Sequence, residues 1–250
     1  MTRIITLLTD FGTADGYVGE MKGVLASGAA GAALVDVAHD LAPHDVDGAR
    51  LALARYWRKF PEGTVHVVIV DPGVGGQRAA LAVESEGRFL VGPDNGVLSP
   101  ALLQPGMRCV SLPIPAGAAA TFHGRDVFAP AAAGLAQGIA LDALGDPFPA
   151  PVVRRTPEAT RRDDGAIAGV VITIDRFGNA VTNLMARRGG VLVVAGRRLA
   201  LSRSYSDVEQ GAPVALVGSS GLVEIALRDG NAAAQLGLRR GSEVMLVPPA

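Results

Sequence analysis

The sequence has few of the features that usually announce a function. Cys109 is the only cysteine, so no internal disulfide can form, which fits a reducing compartment. It lies in an apolar run after Arg108, as a small core residue would. Charge of one sign is not in excess: Lys+Arg 23 against Asp+Glu 24 leaves a net −1, and nothing favours nucleic acid or an anionic membrane surface. No stretch is apolar for the roughly 18 residues a membrane span needs. The Ala-rich tracts at 26–34 and 129–136 are broken by glycine or too short. The first ten residues lack the apolar core and small-residue cleavage pattern of a secretion signal, so a cytoplasmic protein is expected. There is no Walker sequence, no GxGxxG fingerprint and no GxSxG elbow. His39-Asp40 and His44-Asp45 fit no common zinc spacing and read as a solvated loop, so no metal is expected.

What is present is enough apolar material for a large core: 49% of the 250 residues are hydrophobic and 19% charged. Ile4 to Leu8, Ala33 to Val37 and Val65 to Val70 read as buried strands. Between them, residues 17–28 carry Val18, Met21, Val24 and Leu25 at helical spacing, and Asp45 can cap a helix over 46–59. Leu81 to Glu84 and Arg88 to Val91 form a hairpin around Glu86-Gly87, and 129–137 is a further helix. This alternation predicts a mainly parallel α/β sandwich domain over residues 1–150. The proline-rich segment ending at Pro151 and the charged run after it predict a linker over 151–165. From 166 to 250 short strands separated by turns predict a small all-β domain, barrel or sandwich.

Two polar clusters interrupt the first domain. The strand at 65–70 runs into Asp71-Pro72-Gly73-Val74-Gly75-Gly76-Gln77-Arg78, where Pro72 stops the strand and the glycines allow a sharp turn. A carboxylate there sits at the carboxyl end of a sheet, where open α/β folds bind ligands. The second cluster is Thr121-Phe122-His123-Gly124-Arg125-Asp126, in which His123 can exchange protons near neutrality. Arg125 and Asp126 are placed to pair with each other. In the β domain, Asp175, Phe177 and Asn179 alternate in a spacing suited to a polar heterocycle: an aromatic face to stack, an amide to read a base edge, a carboxylate for an ammonium. The same residues also fit a plain β-turn.

Taken together, seven segments resemble the S-adenosyl-L-methionine (SAM) hydroxide adenosyltransferases, relatives of fluorinase and chlorinase: Thr9 to Gly12, Val70 to Arg78, Gly92 to Leu98, Thr121 to Pro130, Ile174 to Asn183, Ser219 to Ala226 and Asn231 to Ala234. The resemblance implies attack of water or hydroxide on C5′ of SAM, giving adenosine and L-methionine, with SAM as substrate and no cofactor. It implies Asp71, Arg78 and His123 as the water-activating set. Which of Asp71 and His123 takes the proton stays open. Arg78 either lowers the pKa of the histidine or water, or holds Asp71 ionised. The resemblance also implies that Asp10 holds the ribose hydroxyls, Phe177 stacks near the adenine and Asn179 hydrogen-bonds it, with backbone contacts from Asn231 and Ala232. Asp175 and Ser219 would hold the methionine amino and carboxylate groups; Thr121, Phe122 and Gly124 would line the pocket near C5′. Phe11, Asn95 and Glu224, within the matching segments, complete the expected substrate-binding set. A homotrimer with sites between subunits is implied as well. The chain departs from the halogenating relatives at Asp71, where they use Tyr, and at Gly124, where they use a halide-contacting Ser. His44 and Ser220 stand where the fluorinase has Trp and Arg. The departures at Asp71 and Gly124 favour hydrolysis over halide transfer, while those at His44 and Ser220 bear on the wall of the methionine pocket and on carboxylate recognition; a halide or other nucleophile transferase, and a non-catalytic adenosine or SAM binding module, are the alternatives.

Overall fold

The computed structural model describes residues 3–186 and 189–247. The chain divides into two compact units, the second beginning at Thr156.

The first unit is built on a seven-stranded sheet in the order β2-β1-β3-β5-β4-β6-β7. Its strands are β1 (Ile4–Thr9), β2 (Ala33–Ala38), β3 (Val65–Ile69), β4 (Ala80–Ser85), β5 (Arg88–Pro93), β6 (Arg108–Leu112) and β7 (Asp146–Pro147). The β2-β1-β3-β5 half is parallel, and β4, β6 and β7 add antiparallel. The central strands β1 and β3 are mostly apolar, with Thr6, Thr9 and His66 as their buried polar residues, because both faces are covered. Ile5, Leu7, Val67 and Ile69 enter one core with α1 (Tyr17–Gly28). Leu8, Val68 and Val70 enter the other with α2 (Val46–Tyr56) and α3 (Ser99–Leu102). Burial of this kind stabilises by about 25 cal/mol per Å² of apolar surface removed from water.

The helix expected over 46–59 ends earlier. Asp45 caps it by accepting from the Gly48 N–H at 2.9 Å. A 3-10 turn over Trp57–Lys59 then buries Trp57, and Phe60 is extended. Pro61 explains the stop, since the residue before a proline is pushed out of helical conformation. The β4–β5 hairpin closes through Glu86 and Gly87, with φ of 48° and 69°. Two left-handed residues in sequence are the turn that matches strand twist.

The second unit is a seven-stranded barrel with an eighth strand added outside it. Its strands are β8 (Thr160–Arg161), β9 (Ile167–Ile174), β10 (Ala180–Met185), β11 (Val191–Val194), β12 (Arg197–Ser202), β13 (Pro213–Val217), β14 (Leu222–Leu227) and β15 (Glu243–Val247), with α5 (Ala232–Leu236) before the last. The order β10-β14-β13-β12-β11-β15-β9 closes because β9 also pairs with β10, and β8 lies outside on β9. Closure leaves no open edge among the seven. Val171, Leu184, Leu192, Ala215, Ile225 and Leu246 fill the interior. Among the described residues no helix is long and apolar enough to cross a membrane.

Candidate active site

β3 delivers Asp71, and the loop after it returns Arg78 beside it. Arg78 Nε donates to Asp71 Oδ1 at 3.1 Å, and its Nη2 donates to Oδ2. Both side chains are almost buried, at 11% and 5% exposure. Such a fork-to-fork pair fixes the plane of the carboxylate. Arg78 Nη2 also reaches His123 Nδ1 at 3.0 Å, so the three residues form one cluster although forty-five positions separate the last two. The guanidinium lies 5.4 Å from the ring centroid of Phe128.

Gly75 makes the meeting possible. Its φ is 73°, and a Cβ there would sit 2.3 Å from the Ala120 carbonyl oxygen. Only glycine lets the 71–78 loop approach the segment that carries His123. From His123 the chain enters a π turn, Gly124–Phe128, before α4 (Ala129–Ala136). Turns of this kind concentrate at functional sites. Burial and the Arg78 charge hold the His123 pKa below its usual value.

Around this cluster lie the other expected residues of the first unit. Phe11 and Phe122 pack edge to face at 5.9 Å, and Tyr17 joins both, at 6.2 and 5.3 Å. Gly124 is buried beneath them; a Cβ there would meet Met21 Sδ and Phe122 at 3.2 Å and Phe11 at 3.4 Å. Thr121 is exposed. Asp10 closes β1, and its Oδ2 accepts from the His44 N–H at 2.8 Å. Asn95 is engaged by backbone at both ends of its amide: it donates to Val70 O at 2.8 Å and accepts from Val97 N at 3.1 Å. It therefore braces the residue before Asp71. Arg125 forks onto Asp126 at 2.7 and 2.9 Å, and also reaches Glu20.

His39 is not on a solvated loop. It is 6% exposed and bonded to Thr9 and Asp36. Cys109 is buried, which pushes its thiol up to about 12 and leaves no thiolate at neutrality.

In the second unit Asp175 organises a tight turn. Its Oδ1 accepts from the N–H groups of Phe177 and Asn179, each at 2.9 Å, and its Oδ2 from the Asn179 amide at 3.1 Å. The turn leaves Phe177 75% exposed and Asn179 buried. Gly178 packs on Asn231, which caps α5 through Ala234 N at 2.8 Å; Ala232 is buried behind it. A recess of about 600 Å³ opens here, lined by Phe177, Asn179, Tyr205, Ser206, Arg228 and Asp229 among others. Tyr205 donates to Glu224 Oε1 at 2.6 Å, and Glu224 Oε2 lies against Gly218, next to the exposed Ser219. Sequence reasoning missed Tyr205, Arg228 and Tyr17. For Tyr205 the available signal was Ser204 and Asp207, a capping box around it.

The chain matches the SAM hydroxide adenosyltransferase N-terminal domain over residues 5–145 and the C-terminal domain of the same family over 169–245. It belongs to the SAM hydroxide adenosyltransferase family. A relative from Thermus thermophilus, named (R)-S-adenosyl-L-methionine hydrolase, is 44% identical over 98% of this chain and 100% of its own length. A fluorinase from Actinopolyspora mzabensis is more distant, 29% identical over 96% of each chain. Among solved structures, an uncharacterized conserved protein from Thermotoga maritima superposes with a TM-score of 0.87 at 29% identity, covering 97% of this chain and 99% of that one. The adenosyltransferase model thus spans both units, and each holds part of the polar set just described.

Proposed function

We propose that this protein hydrolyses SAM to adenosine and L-methionine by attack of water at C5′, using the (R)-sulfonium form that its relatives are named for. The observation that carries the reading is the Asp71–Arg78–His123 contact. A guanidinium has only N–H donors, so the His123 nitrogen facing it must accept. The imidazole is then neutral, with its proton on Nε2, and acts as a donor that holds the water oxygen. Asp71, oriented by the Arg78 fork, is the proton acceptor. As the water oxygen bonds to C5′, the C5′–S bond breaks and its electron pair passes to the sulfur of methionine. The surplus proton goes to Asp71 and then to solvent. The sulfonium needs no acid to leave, so catalysis rests on positioning and proton removal, of which positioning can supply up to about 7–11 kcal/mol.

Around that step, Asp10 takes the ribose diol, and Phe11, Thr121, Phe122 and Gly124 line the approach to C5′. Phe177 and Asn179 take the adenine with Asn231 and Ala232. Asp175, Ser219 and Glu224 take the amino-acid end, and Asn95 supports the Asp71 loop. The nucleophile-activating groups lie in the first unit and the proposed purine and amino-acid groups in the second. This division supports a homotrimer in which sites form between subunits. A cytoplasmic location goes with a reduced, buried Cys109. The test is incubation with SAM in halide-free buffer and chromatography of the products. Equal amounts of adenosine and methionine are expected. A halo-adenosine formed only with halide would make it a transferase, and saturable binding without product a binding module.

A further inference from the structure

Residues 36–44, from the last part of β2 into the loop after it, touch the end of β1 at several points that the reaction does not explain. His39 is buried between two partners: Nδ1 meets Thr9 Oγ1 at 2.9 Å, and Nε2 meets Asp36 Oδ1 at 2.9 Å. Lys22 Nζ donates to the other oxygen of Asp36 at 2.6 Å. Thr9 is fully buried and its hydroxyl accepts from Phe11 N at 3.3 Å. Gly12 N donates to the His39 carbonyl at 2.7 Å. Five residues on, the His44 N–H holds Asp10 Oδ2, and His44 takes a left-handed φ of 65° to do so. For a non-glycine residue that conformation is uncommon and is kept where the surroundings require it.

A carboxylate is an acceptor only, so His39 Nε2 donates to Asp36. Asp36 is itself anchored by Lys22 on α1, so the ring is fixed from outside and holds Thr9 from within. Thr9 in turn holds the amide of Phe11. Asp10 is therefore bracketed: Thr9 and Phe11 are pinned through the His39 ring, Gly12 through the His39 carbonyl, and the Asp10 carboxylate itself by His44. One carboxylate oxygen of Asp10 and the residues on both sides of it are thus held. We propose that His39 is a positioning residue for recognition of a vicinal diol: it aims the Asp10 carboxylate so that both oxygens can take adjacent hydroxyls. This rests on the reading of Asp10 as the ribose contact. Among the described residues no hydrogen bond joins His39 to Asp71, Arg78 or His123, so the expected effect is on binding.

The experiment compares kcat and KM for SAM, and inhibition by adenosine, 2′-deoxyadenosine and 3′-deoxyadenosine, in the parent, His39→Ala and His39→Asn. Asn keeps a polar atom near the position of Nδ1. The parent is expected to bind adenosine about tenfold more tightly than either deoxy analogue. His39→Ala should bring that ratio below about threefold and raise KM about tenfold, with kcat changing far less. His39→Asn should restore most of the ratio. A ratio retained in His39→Ala, or a collapse of kcat with KM unmoved, overturns the proposal. A parent that does not discriminate overturns the Asp10 reading as well, and shows itself before any variant is made. Should His39→Ala not fold, Asp36→Ala removes the outer anchor at a side chain 45% exposed. It should lower the ratio in the same direction, and an unchanged ratio overturns the proposal.

Discussion

The guanidinium of Arg78 donates to Nδ1 of His123 across 3.0 Å. Protonating His123 would place a second donor on that line, next to a permanent positive charge. Desolvation and the Arg78 charge accordingly hold its pKa below the usual value of about 6.5. The neutral ring is the working form, so kcat/KM should be flat at neutrality and fall only as pH drops through this lowered pKa. NMR titration of the His123 imidazole should show the same midpoint, and Arg78→Met should move it upward. A parent midpoint above 6.5 would contradict the geometry.

Gly75 is the point of closest approach between the two loops that carry the cluster. An alanine there must adopt a φ of 73° and place a Cβ 2.3 Å from the Ala120 carbonyl. The backbone conformation alone costs about 1–3 kcal/mol, and the clash forces the loops apart. Gly75→Ala is expected to lower Tm and to reduce kcat at least tenfold. Gly117→Ala, where nothing lies within 4 Å of the new Cβ, should do neither. Equal effects at both positions would mean that the loop approach is unimportant.

Much of the scaffold could be read from residue order because its strands are buried in a regular way. β1 and β3 send alternate residues into two cores, so their sequences are apolar apart from the buried Thr6, Thr9 and His66. The bounds of α1 follow from its buried positions Val18, Met21 and Leu25. β10 was not legible, because it carries Thr182 and Asn183 where a strand is expected to be apolar. Thr182 is satisfied by the Val223 carbonyl at 2.8 Å, and Asn183 by Val170 N at 2.7 Å and Pro157 O at 2.8 Å. Those partners are remote in sequence, so no local pattern points to them. The contact of His123 with Arg78 was equally hidden: it depends on a backbone approach at Gly75 and a π turn at Gly124, neither of which has a sequence period. Residue types could nominate Asp71, Arg78 and His123, and only the fold brings them into bonding distance.

His66 makes acid stability a separate test of the first unit. It is fully buried between Tyr56 and Phe60, with ring centroids at 5.5 and 5.7 Å, and its Nδ1 meets Thr6 Oγ1 at 2.8 Å. Burial pushes its pKa down to about 4, so the unfolded chain binds the proton more tightly. Stability is therefore full above about pH 6.5 and is lost as pH falls towards 4, by about 3 kcal/mol in all. Urea unfolding at pH 7 and pH 4.5 should show a difference that shrinks by about 2 kcal/mol in His66→Gln. An undiminished difference would assign the acid sensitivity to other groups.

The last prediction separates the two groups that could take the proton. Asp71→Asn keeps the shape of the side chain and one acceptor for Arg78, but it removes the only anionic oxygens of the cluster. If Asp71 is the base, kcat should fall by about 10²–10⁴ while KM stays within a few-fold. His123, with Nδ1 occupied by Arg78, has only the Nε2–H to offer, and a glutamine amide can reproduce a donor at that distance. His123→Gln should therefore lose less kcat than Asp71→Asn. Both variants are to be assayed by adenosine release, with Tm recorded so that loss of fold is not mistaken for loss of chemistry. The order of the two losses is the deciding quantity. Should His123→Gln be the more damaged enzyme, the imidazole is the base, and the Arg78 contact must open before the water is attacked.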